Sequence, residues 1–207
     1  MFFQQSLETR LQYWNNIICT NPNQPKAYIQ RGMVYFQLAK IDDSITDFDK
    51  AEKLDPTLRP YLWQRGLSYY YAERYQEGAE QFEIDLTVNS QDVEETIWRY
   101  LCIAKQEGVE KARNTLLPVQ NDPRRVMQAI SNLYADKSKI DEVLKIGESE
   151  GKHGKFYSHL YIGLYYEAQN EIRQASKYIS EAADKYKIDD YMWHLSKVHK
   201  TLRGYNL

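Results

Sequence analysis

The sequence is poor in the residues that break helices and form tight turns. The whole chain contains 9 glycines and 6 prolines. A sandwich or barrel of short strands needs a turn roughly every 8 to 12 residues, so this composition argues against both architectures. Long helices joined by short loops fit the composition better.

Cysteine is also scarce. The chain has two cysteines, Cys19 and Cys102. Two are too few for the disulfide framework of a small secreted domain or for a zinc site built on cysteine pairs. Both lie in apolar helical patterns, so we expect them to be buried free thiols.

The sequence lacks a strong net charge and a long apolar run. Its 27 Lys and Arg against 29 Asp and Glu give a net charge of −2, which provides no general attraction to nucleic acid or to an acidic membrane surface. No run approaches the roughly 18 apolar residues of a membrane span. The amino-terminal residues do not resemble a secretion signal. We expect a soluble chain without membrane contact, cytoplasmic by default, and periplasmic or organellar if a presequence was removed.

Tyrosine is abundant, and several of the 18 tyrosines belong to an internal repeat. The matching positions of the first unit, residues 25–58, are Tyr28, Arg31, Gly32, Tyr35, Ser44, Phe48, Ala51 and Pro56. Those of the second unit, residues 59–91, are Leu62, Arg65, Gly66, Tyr69, Gly78 and Phe82. The common offset between the two sets, as from Gly32 to Gly66, defines the period of the repeat.

This pattern resembles the tetratricopeptide repeat (TPR), which has a large residue at position 4, Gly at 8, Tyr at 11, a small residue at 20, an aromatic at 24 and Ala at 27. The resemblance implies an all-α fold, a right-handed TPR superhelix (α-solenoid) of antiparallel helix pairs. Counting the remaining helical patterns, we expect about twelve helices. Gly32 and Gly66 are expected to let the two helices of each pair approach closely.

Weaker units surround the two clear repeats, so that 1–207 is predicted to form a single TPR-like solenoid. A partial repeat at 6–24 supplies helix B without its helix A. A degenerate repeat at 92–120 opens with a capping box of Asp92 and Glu95 and has Tyr100 in place of the glycine. A clear repeat returns at 155–188, and a capping helix follows at 189–207.

The segment 121–154 is predicted to be an irregular helical hairpin followed by a Gly-rich linker. Asp122–Pro123 and Ser138 carry helix-start signals for helices at 123–135 and 139–147. Three glycines in residues 147–154 predict the main internal linker of the chain. In the capping helix, Asp189 or Asp190 is expected at the start, near residue 190, and Gly204 just beyond its end at about Leu202.

The order of clear, degenerate and irregular units over residues 25–203 resembles the NlpI-type bacterial lipoproteins. That resemblance implies a non-enzymatic, homodimeric adaptor that holds other proteins. The amino-terminal cysteine that carries the lipid in that group is absent here, so a lipid anchor is not implied.

In TPR proteins, residues at positions 2, 5, 9, 12 and 13 of helix A line a concave groove. The first repeat places Lys26, Ile29, Met33, Phe36 and Gln37 there, and the second places Pro60, Trp63, Leu67, Tyr70 and Tyr71. An apolar, aromatic surface of this kind often binds a partner. We therefore expect the groove to bind a protein or peptide segment, with Trp63 as the main anchor. Alternatively, the groove is filled by residues 6–20 or 190–202 of this chain, or by a second copy in a homodimer.

The carboxylate clamp of chaperone-binding repeats is not present. Its Lys and Asn positions are occupied by Ile29, Met33 and Gln64, and the Lys and Arg positions of the next repeat by Glu94 and Trp98. Binding of a chaperone tail in that manner is not expected.

Signals for catalysis are also missing, so we expect no catalytic residues, no metal and no cofactor. The four histidines, His153, His159, His194 and His199, lack metal-ligand spacing, and we expect His194 and His199 to be solvated. The acidic pairs Asp42–Asp43, Glu94–Glu95 and Asp189–Asp190 lie at helix starts, where carboxylates favour the helix dipole.

The last helix is basic through Lys197, Lys200 and Arg203. An RNA-binding helical repeat is therefore an alternative function, although a solvated basic face explains the same residues and no nucleic acid is expected.

Overall fold

The computed structural model describes residues 6–120 and 122–205, which form twelve α-helices and one 3₁₀ helix. No strand occurs within these two ranges. The predicted all-α class and the count of about twelve helices are confirmed. Residues 1–5, 121, 206 and 207 lie outside the described residues. The expectation about a secretion signal falls mostly on residues 1–5. Residue 121 belongs to the predicted segment 121–154, and residues 206 and 207 belong to the predicted segment 189–207.

The chain divides into two compact units. Unit 1 is Met1–Val88 and unit 2 is Asn89–Leu207. None of the helices in the described part of the chain combines the length and the apolar content needed to cross a membrane.

Unit 1 is a series of helices, each packed against the next along the chain. Its elements are α1 Leu7–Thr20, α2 Pro25–Gln37, α3 Ile41–Leu54, the 3₁₀ helix Pro56–Tyr61, α4 Trp63–Tyr71 and α5 Tyr75–Asp85. The pairs α2–α3 and α4–α5 correspond to the segments predicted as the two clear repeats, and α1 packs on α2.

Unit 2 is also a series of helices. Its elements are α6 Val93–Glu107, α7 Val109–Asn114, α8 Arg125–Tyr134, α9 Ile140–Ser149, α10 Gly151–Ala168, α11 Ile172–Lys185 and α12 Tyr191–Leu202. Most consecutive pairs pack together, and α6 and α8 also pack against α10.

Four helix pairs share one turn. In each, a single residue after the first helix adopts a left-handed backbone with φ near +60°. These residues are Ala39, Glu73, Asp136 and Asn170. The next N–H then bonds to a carbonyl near the end of the first helix, as from Lys40 to Tyr35 at 2.9 Å, which satisfies carbonyls that the helix end leaves open. Because α8–α9 has this turn as well, the hairpin predicted to be irregular has a regular repeat connection.

The repeat glycines lie where the two helices of a pair touch. A Cβ at Gly66 would lie 2.7 Å from Cζ of Phe82, and one at Gly32 would lie 3.3 Å from Cε2 of Phe48. Gly163 faces Ile179 in the same way. The predicted close approach of helices A and B at positions 8 and 24 is confirmed.

The prediction of a Gly-rich linker at 147–154 is wrong. Gly147 lies in α9, Gly151 and Gly154 lie in α10, and Glu150 alone separates the two helices. A Cβ at Gly147 would lie 2.7 Å from the carbonyl oxygen of Gly154. The missing side chains allow a tight helix crossing, so burial of the backbone outweighs the poor helix propensity of glycine.

Two predicted helix starts are displaced. Asp122 does not cap a helix that begins at Pro123, because α8 begins at Arg125 and Asp122 Oδ1 instead accepts the Arg124 N–H at 2.8 Å. Ser138 does not cap α9 either. Its hydroxyl donates to the carbonyl of Ala129 at 3.3 Å, and Lys139 takes the capping position.

The predicted start of α6 and both predicted ends of α12 agree with the structure. Asp92 accepts the N–H of Glu95 at 2.9 Å at the start of α6. Asp190 Oδ1 accepts the N–H of Met192 at 2.8 Å at the start of α12. Gly204 has φ +66° beyond the end of α12.

The expectation for the cysteines is half right. Cys102 is buried, and burial raises the pKa of its thiol well above the ordinary value. Cys19 is exposed. The buried residue of α1 is Arg10, and the spacing between Arg10 and Cys19 places them on opposite sides of the helix.

Candidate functional site

The candidate site is the face of unit 1 formed by α2 and α4. These helices are held side by side through α3. The Ser44 hydroxyl donates to the Gly32 carbonyl at 2.8 Å and lies 3.0 Å from the Ser68 hydroxyl. Ser44 occupies the small-residue position of the repeat, and its short side chain reaches both helices.

Side chains of α2 and α4 meet directly across this face. The rings of Phe36 and Tyr71 lie 5.6 Å apart in an edge-to-face arrangement. The amide of Gln64 approaches the sulfur of Met33 at 3.9 Å. The side chains of α2 and α4 therefore pack against each other at this face.

Burial divides the predicted groove residues into two groups. Phe36, Leu67, Tyr70 and Tyr71 are at most 8 % exposed, so in this conformation they form a floor beneath the surface. Lys26 is exposed, and Ile29, Met33, Pro60 and Trp63 are partly exposed. A partner that binds here without rearrangement would touch the second group.

Gln37 is covered by the first helix of the unit. Arg10 of α1 donates to Gln37 Oε1 at 2.9 Å, and both side chains are buried. The segment 6–20 thus covers the end of the face near Gln37. This contact is one that the alternative in which the chain fills its own groove would require.

Three arginines at the same position of successive repeats tie each helix A to the segment that follows it. Arg31 forms two 2.7 Å bonds to Asp47, Arg65 binds Gln81 Oε1 at 2.7 and 2.9 Å, and Arg99 donates to the Thr115 carbonyl at 2.9 Å. Sequence reasoning noted Arg31 and Arg65 as repeat residues. The constant spacing could also have identified Arg99 as the continuation of the pattern into the degenerate repeat.

The inner face of unit 2 is closed by its own residues. The Tyr134 hydroxyl donates to the Tyr161 carbonyl at 2.9 Å, and the Tyr134 ring lies 5.0 Å from that of Tyr100. The Tyr161 hydroxyl donates to Glu94 of α6 at 3.0 Å. Tyr100, in the glycine position of its repeat, is buried in this cluster, so unit 2 offers no counterpart of the α2–α4 face among these residues.

A large buried charge cluster in unit 2 surrounds Glu167. His199 Nε2 lies 2.6 Å from its carboxylate, Lys105 Nζ lies at 3.3 Å, and Arg203 Nε and the Tyr205 hydroxyl donate at 3.2 and 3.3 Å. Burial alone would raise the pKa of Glu167, but the surrounding cations outweigh burial and hold it well below its ordinary value. The cluster joins α6, α10 and α12.

His199 was expected to be solvated, and that expectation is wrong. The side chain is fully buried against Glu167. The basic face of α12 is also partly neutralised, because Lys197 and Lys200 both pair with Asp184. No group of three or more His, Cys, Asp or Glu side chains suited to a metal occurs within residues 6–120 and 122–205.

The chaperone clamp positions in α6 do not present a cation to a carboxylate. Trp98 is buried, and Glu94 is engaged by Arg124 at 2.8 Å.

Comparison with known proteins supports the repeat. Residues 25–58 match the family described as "Tetratricopeptide repeat". The chain is 24 % identical over 140 residues, 66 % of its length, to the "Hsp70-Hsp90 organizing protein" of Triticum aestivum, and covers 24 % of that protein. It is 25 % identical over 142 residues, 65 % of its length, to "Hsp70-Hsp90 organizing protein 2" of Arabidopsis thaliana, and covers 24 % of it. It is 29 % identical over 85 residues, 41 % of its length, to "Tetratricopeptide repeat protein 13" of Homo sapiens, and covers 10 % of it.

The chain therefore contains a tetratricopeptide repeat at residues 25–58. It spans a quarter or less of the length of these relatives. The matches support the repeat and not the NlpI type specifically, so the finer resemblance is not confirmed.

Proposed function

We propose that this chain is a non-catalytic scaffold that binds a segment of a partner protein on the α2–α4 face of unit 1. The observation that carries the proposal is the partial exposure of Ile29, Met33 and Trp63 on two neighbouring helices whose aromatic residues Phe36, Tyr70 and Tyr71 are buried. A rigid floor reduces the entropy lost when a partner orders these side chains. Tryptophan in such a setting is the residue type that most often dominates binding energy.

The relatives agree with a scaffold in general and differ in detail. Two of them are named as organizing proteins of Hsp70 and Hsp90. The clamp positions of this chain carry Ile29, Met33, Gln64, Glu94 and Trp98. We therefore propose an apolar partner segment anchored on Trp63, not a chaperone tail held by its carboxylate.

The test is a comparison of two aromatic truncations. Partners captured on the wild-type chain are identified by mass spectrometry, and their affinities for Trp63→Ala and Tyr61→Ala are then measured by calorimetry. Tyr61 is 62 % exposed and lies close to Trp63 in the chain, at a position outside the predicted groove, which makes it a matched control. We expect Trp63→Ala to cost about 2 kcal/mol or more and Tyr61→Ala under about 0.5 kcal/mol.

Equal losses with both variants, or none with either, would contradict the proposal. Circular dichroism of each variant separates lost binding from lost fold.

A homodimer is the second proposed occupant of this face. Light scattering over a hundredfold dilution would then show about twice the 24.6 kDa chain mass, and Trp63→Ala would shift the equilibrium toward monomer. A monomer at every concentration argues against the dimer and leaves the partner-segment proposal in place.

The RNA-binding alternative receives less support, because His199 is buried and Lys197 and Lys200 pair with Asp184. Binding that weakened steeply between roughly 50 and 200 mM salt would favour it nonetheless.

A further inference from the structure

The last residue of α5 is a buried carboxyl in a position where the repeat has alanine. Asp85 occupies the position in the second repeat that Ala51 occupies in the first. Its side chain is 1 % exposed. A carboxyl buried in this way is costly unless hydrogen bonds and a counter-charge compensate for the lost water.

The compensation at Asp85 is incomplete. Gln81 Nε2 donates to Oδ1 at 2.7 Å. Oδ2 is shielded from solvent and has no hydrogen-bond partner among the described residues. Neutral donors stabilise a carboxylate less than a directly bonded cation would.

The nearby cations are committed elsewhere. Arg65 directs Nε and Nη2 to Gln81 Oε1 and Nη1 to Asp49 and Glu52, so Gln81 stands between Arg65 and Asp85. Arg59 of the 3₁₀ helix approaches Glu52 at 3.5 Å. Burial is the largest influence and raises the pKa of Asp85 to about 7, against the opposing effects of the Gln81 hydrogen bond, the positive charge of Arg65 and a weaker hydrogen bond from the Leu62 backbone.

Asp85 also occupies a structural junction. Gln81 Nε2 donates to the Arg59 carbonyl at 2.9 Å, so the group that holds Asp85 also holds the 3₁₀ helix against α5. The Asp85 carbonyl accepts the N–H of Val88 at 3.1 Å, in the last turn of unit 1 before the chain continues into unit 2.

We propose that Asp85 is a pH-sensitive lock on this junction. When neutral, its carboxyl lets α5 and the 3₁₀ helix pack without a buried unpaired charge. When ionised, it favours local opening of residues 56–62 and 81–88, where water can reach the carboxylate. This device belongs to unit 1 alone and does not depend on the α2–α4 face binding a partner.

The direction of the effect follows from proton linkage. In the open state the carboxyl has an ordinary pKa near 4, and in the closed state it holds its proton up to a higher pH. The closed state therefore becomes less stable relative to the open state as pH rises between these two pKa values. The equilibrium constant for opening increases by up to about tenfold per pH unit. Above the closed-state pKa the opening equilibrium is constant.

The test is hydrogen exchange of the full chain from pH 4 to 8.5, corrected for intrinsic rates. Peptides covering 56–62 and 81–88 are compared in wild type and in Asp85→Asn, which has the same shape and no charge. We expect opening in wild type to increase up to pH 7 and then level off, and opening in Asp85→Asn to be independent of pH. Asp49→Asn, an exposed carboxyl on the same network, is the control and should follow wild type.

The same pH dependence in Asp85→Asn as in wild type would overturn the proposal. A second measurement needs no variant: the carboxyl carbon of Asp85, followed by NMR in the wild-type chain, should titrate above pH 6. Titration near pH 4 would overturn the proposal independently.

Discussion

The contact between Gly66 and Phe82 allows the packing of a repeat to be tested at one atom. A Cβ at residue 66 would lie 2.7 to 2.9 Å from three ring carbons of Phe82, closer than carbon atoms pack in proteins. Phe82 is fully buried, so its ring has little space to move. Gly66→Ala should therefore strain the pair α4–α5.

The first repeat provides the reference. A Cβ at Gly32 would meet its nearest neighbours at 3.2 to 3.3 Å, a gap that a small adjustment can relieve. Both substitutions gain the same helix propensity, about 1 kcal/mol in favour of alanine. Overpacking at Gly66 costs roughly 1 to 3 kcal/mol, while at Gly32 a shift of a few tenths of an ångström relieves the contact at a cost of about 0.5 kcal/mol. We expect Gly32→Ala to be slightly stabilising and Gly66→Ala to be less stable than Gly32→Ala by about 0.5 to 2.5 kcal/mol.

Urea unfolding followed by circular dichroism measures the free energy of unfolding of each variant. Hydrogen exchange of residues 63–85 shows whether the loss is localised to α4–α5. A shorter side chain at the contact should relieve the strain, so Gly66→Ala combined with Phe82→Leu should be less destabilised than the sum of the two single changes by about 0.5 kcal/mol or more. Equal stability of Gly66→Ala and Gly32→Ala would refute the assignment of Gly66 to a tight helix contact.

Three further outcomes are expected. Ala39→Gly should stabilise the chain by about 0.5 to 1 kcal/mol in urea unfolding, because Ala39 has φ +58°, whereas Ala27→Gly inside α2 should destabilise it by at least as much. Glu167→Gln should cost about 3 kcal/mol at pH 7, because it leaves the partly buried cations Lys105 and Arg203 without their carboxylate. Since folding lowers the pKa of Glu167, the difference in the free energy of unfolding between wild type and Glu167→Gln should persist down to about pH 4.5 and shrink at lower pH. A thiol reagent should modify Cys19 in the folded chain and reach Cys102 only on unfolding, and rapid modification of both would contradict the burial of Cys102.

Short-range signals predicted the helix pairs well. Gly32 contacts Phe48 and Gly66 contacts Phe82, in each case across the two helices of one pair. Because both partners lie within one repeat of the sequence, their spacing predicts the pair of helices and the turn between them. Asp92 and Asp190 identified helix starts, since a cap depends on residues two or three positions away. The same local reasoning failed at Gly147 and Gly154, where a close approach between two helices outweighed propensity.

The sequence predicted which helices carry the site residues, but it did not predict how exposed each side chain is. The repeat frame placed Ile29, Met33 and Trp63 on neighbouring helices, and these three are partly exposed. It could not show that Phe36 and Tyr70 are buried, because the exposed area of a side chain depends on every element packed around it.

The sequence by itself determined the period of the repeat, the all-α class and the helix pair as the building unit, because these follow from contacts between neighbouring parts of the chain. Tertiary structure decided that Cys19 is exposed, that His199 is buried against Glu167 and that the buried Asp85 Oδ2 has no hydrogen-bond partner among the described residues. Those outcomes depend on side chains brought together from different helices. Neither the periodicity nor the composition of the chain predicts which side chains of different helices come into contact.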